Sequence, residues 1–141
     1  MGCDMYCVVE ALNKKSAKWD CFGVSRANRC YMMFSKIADV RNSEKENEYI
    51  EPIVEPRGWP ADASDSAETW YNDNELCFSH TWLNRKELEA LDEWLQKNEI
   101  CPLWEMLGFE HLQFLFCMEG GWKKAAFTRY SDLRVVFFFT N

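Results

Sequence analysis

This sequence lacks the short motifs that identify the commonest enzyme classes. It contains no P-loop, no GxGxxG dinucleotide fingerprint and no GxSxG nucleophile turn, so it predicts neither a phosphate cradle nor a serine hydrolase. Histidine occurs only twice, as His80 and His111, and neither belongs to an HExxH or HxH spacing. We therefore expect no metal and no cofactor.

Long apolar runs and leader features are also missing. No stretch approaches the ~20 apolar residues of a spanning helix, and the N-terminus has no basic region ahead of its short apolar run, which ends at Glu10. An odd number of cysteines, seven, with no CxxC pair predicts reduced thiols in a cytoplasm. On an extended strand Cys3 and Cys7 would lie ~13 Å apart, too far for one zinc or one disulfide, so we expect them to be small buried side chains.

Length and composition favour one domain over residues 1–141. The chain has 141 residues, of which 48% are hydrophobic, and its seven tryptophans and ten phenylalanines supply large buried areas for one core. The net charge of −7 disfavours direct binding to nucleic acid, because the phosphate backbone would repel it. The same charge favours a partner with a basic surface.

Two segments predict strands that contain the chain ends. Residues 3–11 alternate, with apolar side chains at the odd positions, as in a half-buried strand. Residues 17–24 would complete a hairpin with it, and "DLRVVFFFT", apolar on both faces, predicts a final strand inside the sheet.

The predicted helices come from their apolar stripes and caps. A helix over residues 25–42 would be capped by Ser25, and a second would begin with Asn84 and Glu87 as a capping box. A short helix is predicted from Pro102 to Gly108, and a strand is predicted over residues 111–118. Residues 61–75 are expected to form either a short helix or a loop. Together these predict an α+β fold: a mostly antiparallel sheet containing both terminal strands, with two main helices packed on one face.

A few polar residues are candidates for a site. Asp4 and Glu10 share the polar face of the first strand with Tyr6, but ~20 Å separates them, beyond the ~9.5 Å limit of a catalytic carboxylate pair. If Asp4 takes part in a site, its partners must come from other strands; otherwise both carboxylates are solvated, which is the expectation from the residues alone. Arg134 lies between apolar neighbours, which predicts a carboxylate partner, with Asp4 or Asp132 as candidates.

His80 and Arg57 allow two interpretations each. His80 is either part of a ligand site or a hydrogen-bonded structural histidine. Arg57, in "PRGWP", is either an anion-binding residue or an exposed loop arginine.

Aromatic residues gather in the irregular middle of the chain. This group is expected either to bind a partner or to form a cluster that anchors a long loop, and the sequence does not decide between the two. Its members are Trp59, Trp70, Tyr71 and Trp82.

Five blocks in order resemble a family of small tailed-bacteriophage proteins. They are the opening Met-Gly-Cys-Asp, "RxYMMFxxIADVRN", "PIxEPRGWPxDxS", "SHTWLxxxEL" and "DLRVVFFFTN". Typical members begin Met-Gly-Cys-Asp-Ile-His and end in Phe-Asp-Asn, whereas this chain has Met5 and Tyr6 after Asp4 and Thr140 before its last residue. A histidine also often stands where this chain has Phe78.

The resemblance implies a polar site of which Asp4 and His80 remain while other members are replaced. Because catalysis needs a complete constellation, this favours a non-catalytic accessory protein. We expect it to act in the host bacterial cytoplasm by binding a host protein, as an inhibitor of antiviral defence.

Two alternatives remain open. One is a metal- or nucleotide-dependent hydrolase, or a sponge for a small nucleotide ligand, whose site would use Asp4 and His80 with Tyr6 or Glu10, Arg57 and Arg134. The other is a structural component of the virion. The oligomeric state is not predicted.

Overall fold

The chain forms four strands and four helices in the residues that the computed structural model describes, which are 2–42, 49–74, 76–108 and 130–141. The strands are β1 (Asp4–Asn13), β2 (Trp19–Arg26), β3 (Phe78–Asn84) and β4 (Tyr130–Thr140). The helices are α1 (Tyr31–Ala38), α2 (Asp65–Asp73), α3 (Arg85–Lys97) and α4 (Leu103–Met106). Among these helices none is long and apolar enough to cross a membrane.

The strands make one antiparallel sheet in the order β2-β1-β4-β3. The two terminal strands, β1 and β4, are therefore neighbours, with Tyr6 opposite Phe138 and Glu10 opposite Arg134. Residues 133–139 of β4 are buried, as expected of an interior strand that is apolar on both faces. The predicted α+β class and the pairing of the terminal strands are confirmed.

One side of the sheet, which we call the helical face, is covered by α1 and α3. Met5 and Phe137 belong to the same buried cluster as the inner stripe of α3, and the ring of Phe34 in α1 contacts that of Phe139 edge-on. The α3 stripe consists of Leu88, Leu91 and Leu95. Two main helices on one face were predicted, and the structure confirms them.

The opposite side carries α2 and most of the aromatic residues. Ser64 caps α2 by accepting a hydrogen bond from the Ala67 amide, and Ala67 is buried against Val8, Val136 and Phe138. Of the two alternatives for residues 61–75, a short helix or a loop, the structure has the helix, over Asp65–Asp73.

Of the two N-caps predicted from the sequence, one is present and one is not. The Asn84–Glu87 capping box is present in full at the start of α3. The predicted cap Ser25 is wrong, because Ser25 lies in β2 opposite Cys7, and the Ala27 amide still donates to the Met5 carbonyl. Pairing with β1 keeps this segment extended, so α1 begins only at Tyr31.

Of the two elements predicted between residues 102 and 118, only the short helix lies within the described residues. The short helix α4 follows Pro102, and the chain leaves it through Gly108, whose φ of 81° favours glycine. The predicted strand over 111–118 and His111 lie outside the described residues.

Candidate functional site

Aromatic rings cover the side of the sheet opposite α1 and α3, and we call this surface the aromatic face. Its centre is Phe138, whose ring centroid lies 4.8 Å from that of Trp70 and 5.7 Å from that of Tyr6. Trp59 stacks on Tyr71 at 4.4 Å and also contacts Phe138 edge-on. The other described rings on this face are Tyr6, Trp59, Trp70, Tyr71, His80 and Trp82.

A β-bulge in β3 brings His80 onto this face. Phe78 pairs with Phe139 and Thr81 with Phe137, so that Ser79 and His80 together stand opposite the single residue Phe138. Ser79 has a φ of 52°, an uncommon conformation for a non-glycine residue. Bulges of this kind redirect a side chain, and here the exposed Ser79 turns away while His80 contacts the aromatic rings.

The His80 imidazole is enclosed by rings but not fully satisfied. Its centroid lies 4.9 Å from that of Tyr71, 5.7 Å from that of Trp59 and 6.2 Å from that of Phe138. Its Nε2 is buried and has no hydrogen-bond partner in the described part of the chain. Burial lowers the pKa of His80 below its usual 6.5, so the ring is neutral at pH 7.

A cleft of about 280 Å³ opens beside this ring, and we call it the His80 cleft. The described residues that line it are Tyr71, Asn72, Asn74, Cys77 and His80. The Asn74 side-chain amide donates to the Trp70 carbonyl at 2.7 Å, and burial raises the pKa of the Cys77 thiol. The described residues of the cleft therefore offer amide, phenol and imidazole groups.

The buried ion pair at the other end of the aromatic face corrects two expectations. Glu10 was expected to be solvated, but it is fully buried, and Arg134 Nε donates to its Oε1 at 2.7 Å. Arg134 was assigned to Asp4 or Asp132; its second partner is Asp62, at 2.8 Å. The reason is that α2 and the segment before it cover this end of the sheet, where the Ser64 amide also donates to Glu10 at 2.7 Å.

Asp62 and Trp19 complete this network. The Trp19 ring lies 3.9 Å from the Arg134 guanidinium carbon, and its indole N–H donates to Asp62 at 3.1 Å. Partial burial raises the pKa of Asp62, but the hydrogen bond and charge of Arg134 outweigh it and leave the pKa lowered. The network therefore joins β1, β4 and the segment before α2 through hydrogen bonds.

Asp4 lies apart from this network and from His80. Its carboxylate accepts hydrogen bonds from Arg29 at 2.7 and 3.2 Å and is partly exposed. Asp4 and His80 are on β1 and β3, which are separated by β4, so their backbones lie ~10 Å apart across the sheet. The structure does not bring the two to one centre.

Arg57 has a structural role in anchoring the proline-containing segment. Its guanidinium makes a bidentate ion pair with Glu87, donates to the Trp82 carbonyl at 2.9 Å and lies over the Trp82 ring. Its backbone amide donates to Thr81 at 3.0 Å. The pKa of Glu87 is raised by burial but lowered further by Arg57 and the Asn84 amide, so the net shift is downward.

Sequence reasoning missed several residues of these sites. Trp19 and Asp62 are separated by 43 residues, and nothing in the local pattern around either predicts their contact. Asn72, Asn74 and Cys77 line the cleft only because α2 ends beside the bulge of β3.

Within the described ranges, no three histidine, cysteine or acidic side chains lie close enough to hold a metal ion. A comparison of the chain with protein-family models, with curated proteins and with solved structures finds no match to any of them.

Proposed function

We propose that this chain is a bacteriophage-type accessory protein that binds a host protein through its aromatic face and so inhibits an antiviral defence in the bacterial cytoplasm. One observation carries the proposal. Most of the charged site candidates are held in internal ion pairs, Asp4 with Arg29, Glu10 with Arg134 and Arg57 with Glu87, whereas the aromatic candidates form one half-buried surface.

The ion pairs oppose a catalytic use of the same residues. A carboxylate that accepts two or more charge-assisted hydrogen bonds is a weak general base, and moving it to a substrate would leave a cation unpaired. The hydrolase alternative also needs Asp4 and His80 at one centre, and Asp4 is instead bound by Arg29. These contacts therefore give the hydrolase no support.

The aromatic face has properties that suit a protein partner. Its rings are fixed by contacts with one another and by the hydrogen bond from Trp59 to Glu68 at 2.9 Å, so little side-chain entropy would be lost on binding. Tryptophan and tyrosine are enriched among residues that dominate interface energies. The neighbouring helix α2 carries Asp65, Glu68 and Asp73 and no lysine or arginine, which favours a basic partner surface.

The test is a plating assay on bacteria that carry individual defence systems, with and without the protein. We expect the wild-type chain to raise the plating efficiency of a sensitive phage on at least one such host. Trp59→Ala should abolish this effect, and Trp94→Ala, a substitution on α3 at the other side of the sheet, should retain it. Circular dichroism of both variants checks that they are folded.

Two outcomes would end the proposal. The first is a folded Trp59→Ala protein that protects the phage as well as wild type does. The second is no effect of the wild-type chain on any defence system tested. Abundant protein in purified phage particles would instead support the virion alternative.

A further inference from the structure

Helix α2 is attached to the sheet by few buried side chains. Of its residues only Ala67 is buried, whereas α3 buries three leucines against the opposite side of the sheet. Segments that bury little apolar surface open locally at a lower free energy than the core of a protein does. We call residues 59–74, which contain α2, the strap. Its aromatic residues are Trp59, Trp70 and Tyr71.

Hydrogen bonds to two carboxylates join the strap to the sheet. Arg134 of β4 donates to Asp62 Oδ1 at 2.8 Å and to the Asp62 carbonyl at 3.2 Å, and the Trp19 indole donates to Asp62 Oδ2 at 3.1 Å. The Ser64 amide donates to Glu10 at 2.7 Å. Arg134 connects the two carboxylates, because its Nε donates to Glu10. These contacts involve residues 62–64, so they hold the strap directly ahead of α2.

Asp62 is the member of this network that solvent reaches. Its side chain is 70% exposed, against 4% for Arg134 and 0% for Glu10. A cleft of about 430 Å³ lies beside it, between the strap and the turn that joins β1 to β2. The other charged groups that the described chain places around Asp62 are Glu10 on β1, Lys18 in the turn, Asp20 on β2 and Asp65 on α2.

The charge of Asp62 stabilises the closed strap. Partial burial acts to raise the pKa of Asp62, but the hydrogen bond and charge of Arg134 outweigh it and hold the pKa below its usual 3.8. The contribution of the charged form is therefore present above about pH 3.8 and is lost as the pH falls through the lower, closed-state value. Protonation would leave Arg134 with Glu10 as its ionised partner and would weaken its bond to the strap.

Both ends of the strap are held by other contacts. Ahead of it, Arg57 is paired with Glu87 on α3, and behind it the Cys77 amide donates to the Asn74 carbonyl at 3.2 Å. We propose that the strap opens as a unit when Asp62 loses its charge, so that Trp59 and Trp70 leave Phe138 while α1 and α3 stay on the sheet. The aromatic face is complete only while the strap is closed. This change belongs to the free protein and does not depend on the proposed host partner.

Hydrogen exchange of the purified chain, followed by mass spectrometry at pH 7, tests the proposal. Asp62→Asn keeps the size of the side chain and removes its charge. We expect the amides of α2 to exchange at least ~10-fold faster in this variant than in wild type, which corresponds to about one pKa unit of lost interaction. The amides of residues 91–97 in α3 should change less than ~2-fold, because the opening is local.

Asp20→Asn is the matched control. It removes the same charge from the same cleft, but the Asp20 carboxylate accepts its hydrogen bond from Asn13, within the hairpin of β1 and β2. Exchange in α2 should therefore stay as in wild type.

A second measurement uses the wild-type chain, so it tests the proposal even if Asp62→Asn does not fold. Between about pH 5 and pH 3, the protection of α2, corrected for the intrinsic exchange rate, should fall before that of residues 91–97. In a folded Asp62→Asn protein this difference should be much smaller.

Several results would overturn the proposal. They are unchanged exchange of α2 in folded Asp62→Asn, an equal rise in α2 and α3, and an effect of Asp20→Asn as large as that of Asp62→Asn. Simultaneous loss of protection in α2 and α3 when the wild type is acidified would overturn it as well, because the strap would then open only with the whole fold.

Discussion

Arg134 on β4 lies directly opposite Glu10 on β1, and its Nε is 2.7 Å from Glu10 Oε1. Both side chains are buried. The pair lies at the junction of the two terminal strands. Asp62 and Ser64 bond to the same pair from the segment that precedes α2. The ion pair therefore joins the sheet to the layer that carries the aromatic residues.

Removing one member of this pair should strongly destabilise the fold. Glu10→Ala leaves the Arg134 guanidinium buried with only the more exposed Asp62 as a partner, and losses of ~3–5 kcal/mol are typical of such changes. Urea denaturation of the wild type and the variant measures the difference. The double variant Glu10→Leu/Arg134→Met should lose clearly less than the sum of the two single changes, because it leaves no buried charge unpaired. Additive losses would contradict this interpretation.

The ion pair between Arg57 and Glu87 should make stability depend on acidity. Since the folded-state pKa of Glu87 is below its usual 4.5, its contribution is present above about pH 4.5 and is lost as the pH falls through the folded-state value. Glu87→Gln should therefore be less stable than wild type at neutral pH, and the difference should shrink in acid. The measurement is the free energy of unfolding between about pH 6 and pH 3.

Glu93→Gln is the matched control, because Glu93 is an exposed residue of the same helix. It should change the acid limb of the stability curve much less than Glu87→Gln does. Parallel curves for wild type and Glu87→Gln across this range would show that the ion pair does not set the pKa.

The cysteines should differ in their reactivity toward an alkylating reagent. The six described cysteines are free; Cys101 is exposed, whereas Cys3 and Cys7 are buried, and burial raises the pKa of the Cys7 thiol. We expect iodoacetamide to modify Cys101 well before Cys3 or Cys7, as measured by mass spectrometry of digests taken over time. In urea the three rates should converge. Labelling of Cys7 as fast as Cys101 in the native protein would contradict the burial of β1.

Local patterns in the sequence predicted most of the sheet. The alternation over residues 3–11 and the doubly apolar run in β4 each reflect how a strand distributes its side chains between two faces. The α3 start was predictable for a similar reason, since Asn84 and Glu87 satisfy backbone groups only three residues away.

The predictions that failed depended on contacts between distant segments. Glu10 has the position of a solvated strand residue, and only the covering segment, 54 residues away, buries it. The same segment brings Asp62 to Arg134. His80 lies on the aromatic face because of a bulge, and no motif around Ser79 marks one. The expected aromatic cluster exists, and its use in binding remains a prediction.

The position of β4 has a consequence for how the protein is made. β4 follows the other three described strands in the sequence, yet it lies between β1 and β3 and pairs with both. During translation β1 and β3 leave the ribosome without the strand that joins them, so the nascent chain exposes apolar side chains until residue 140 has been released. The sheet therefore cannot close before β4 has been synthesised, and a premature stop codon ahead of β4 would yield an incomplete sheet that chaperones and proteases would recognise.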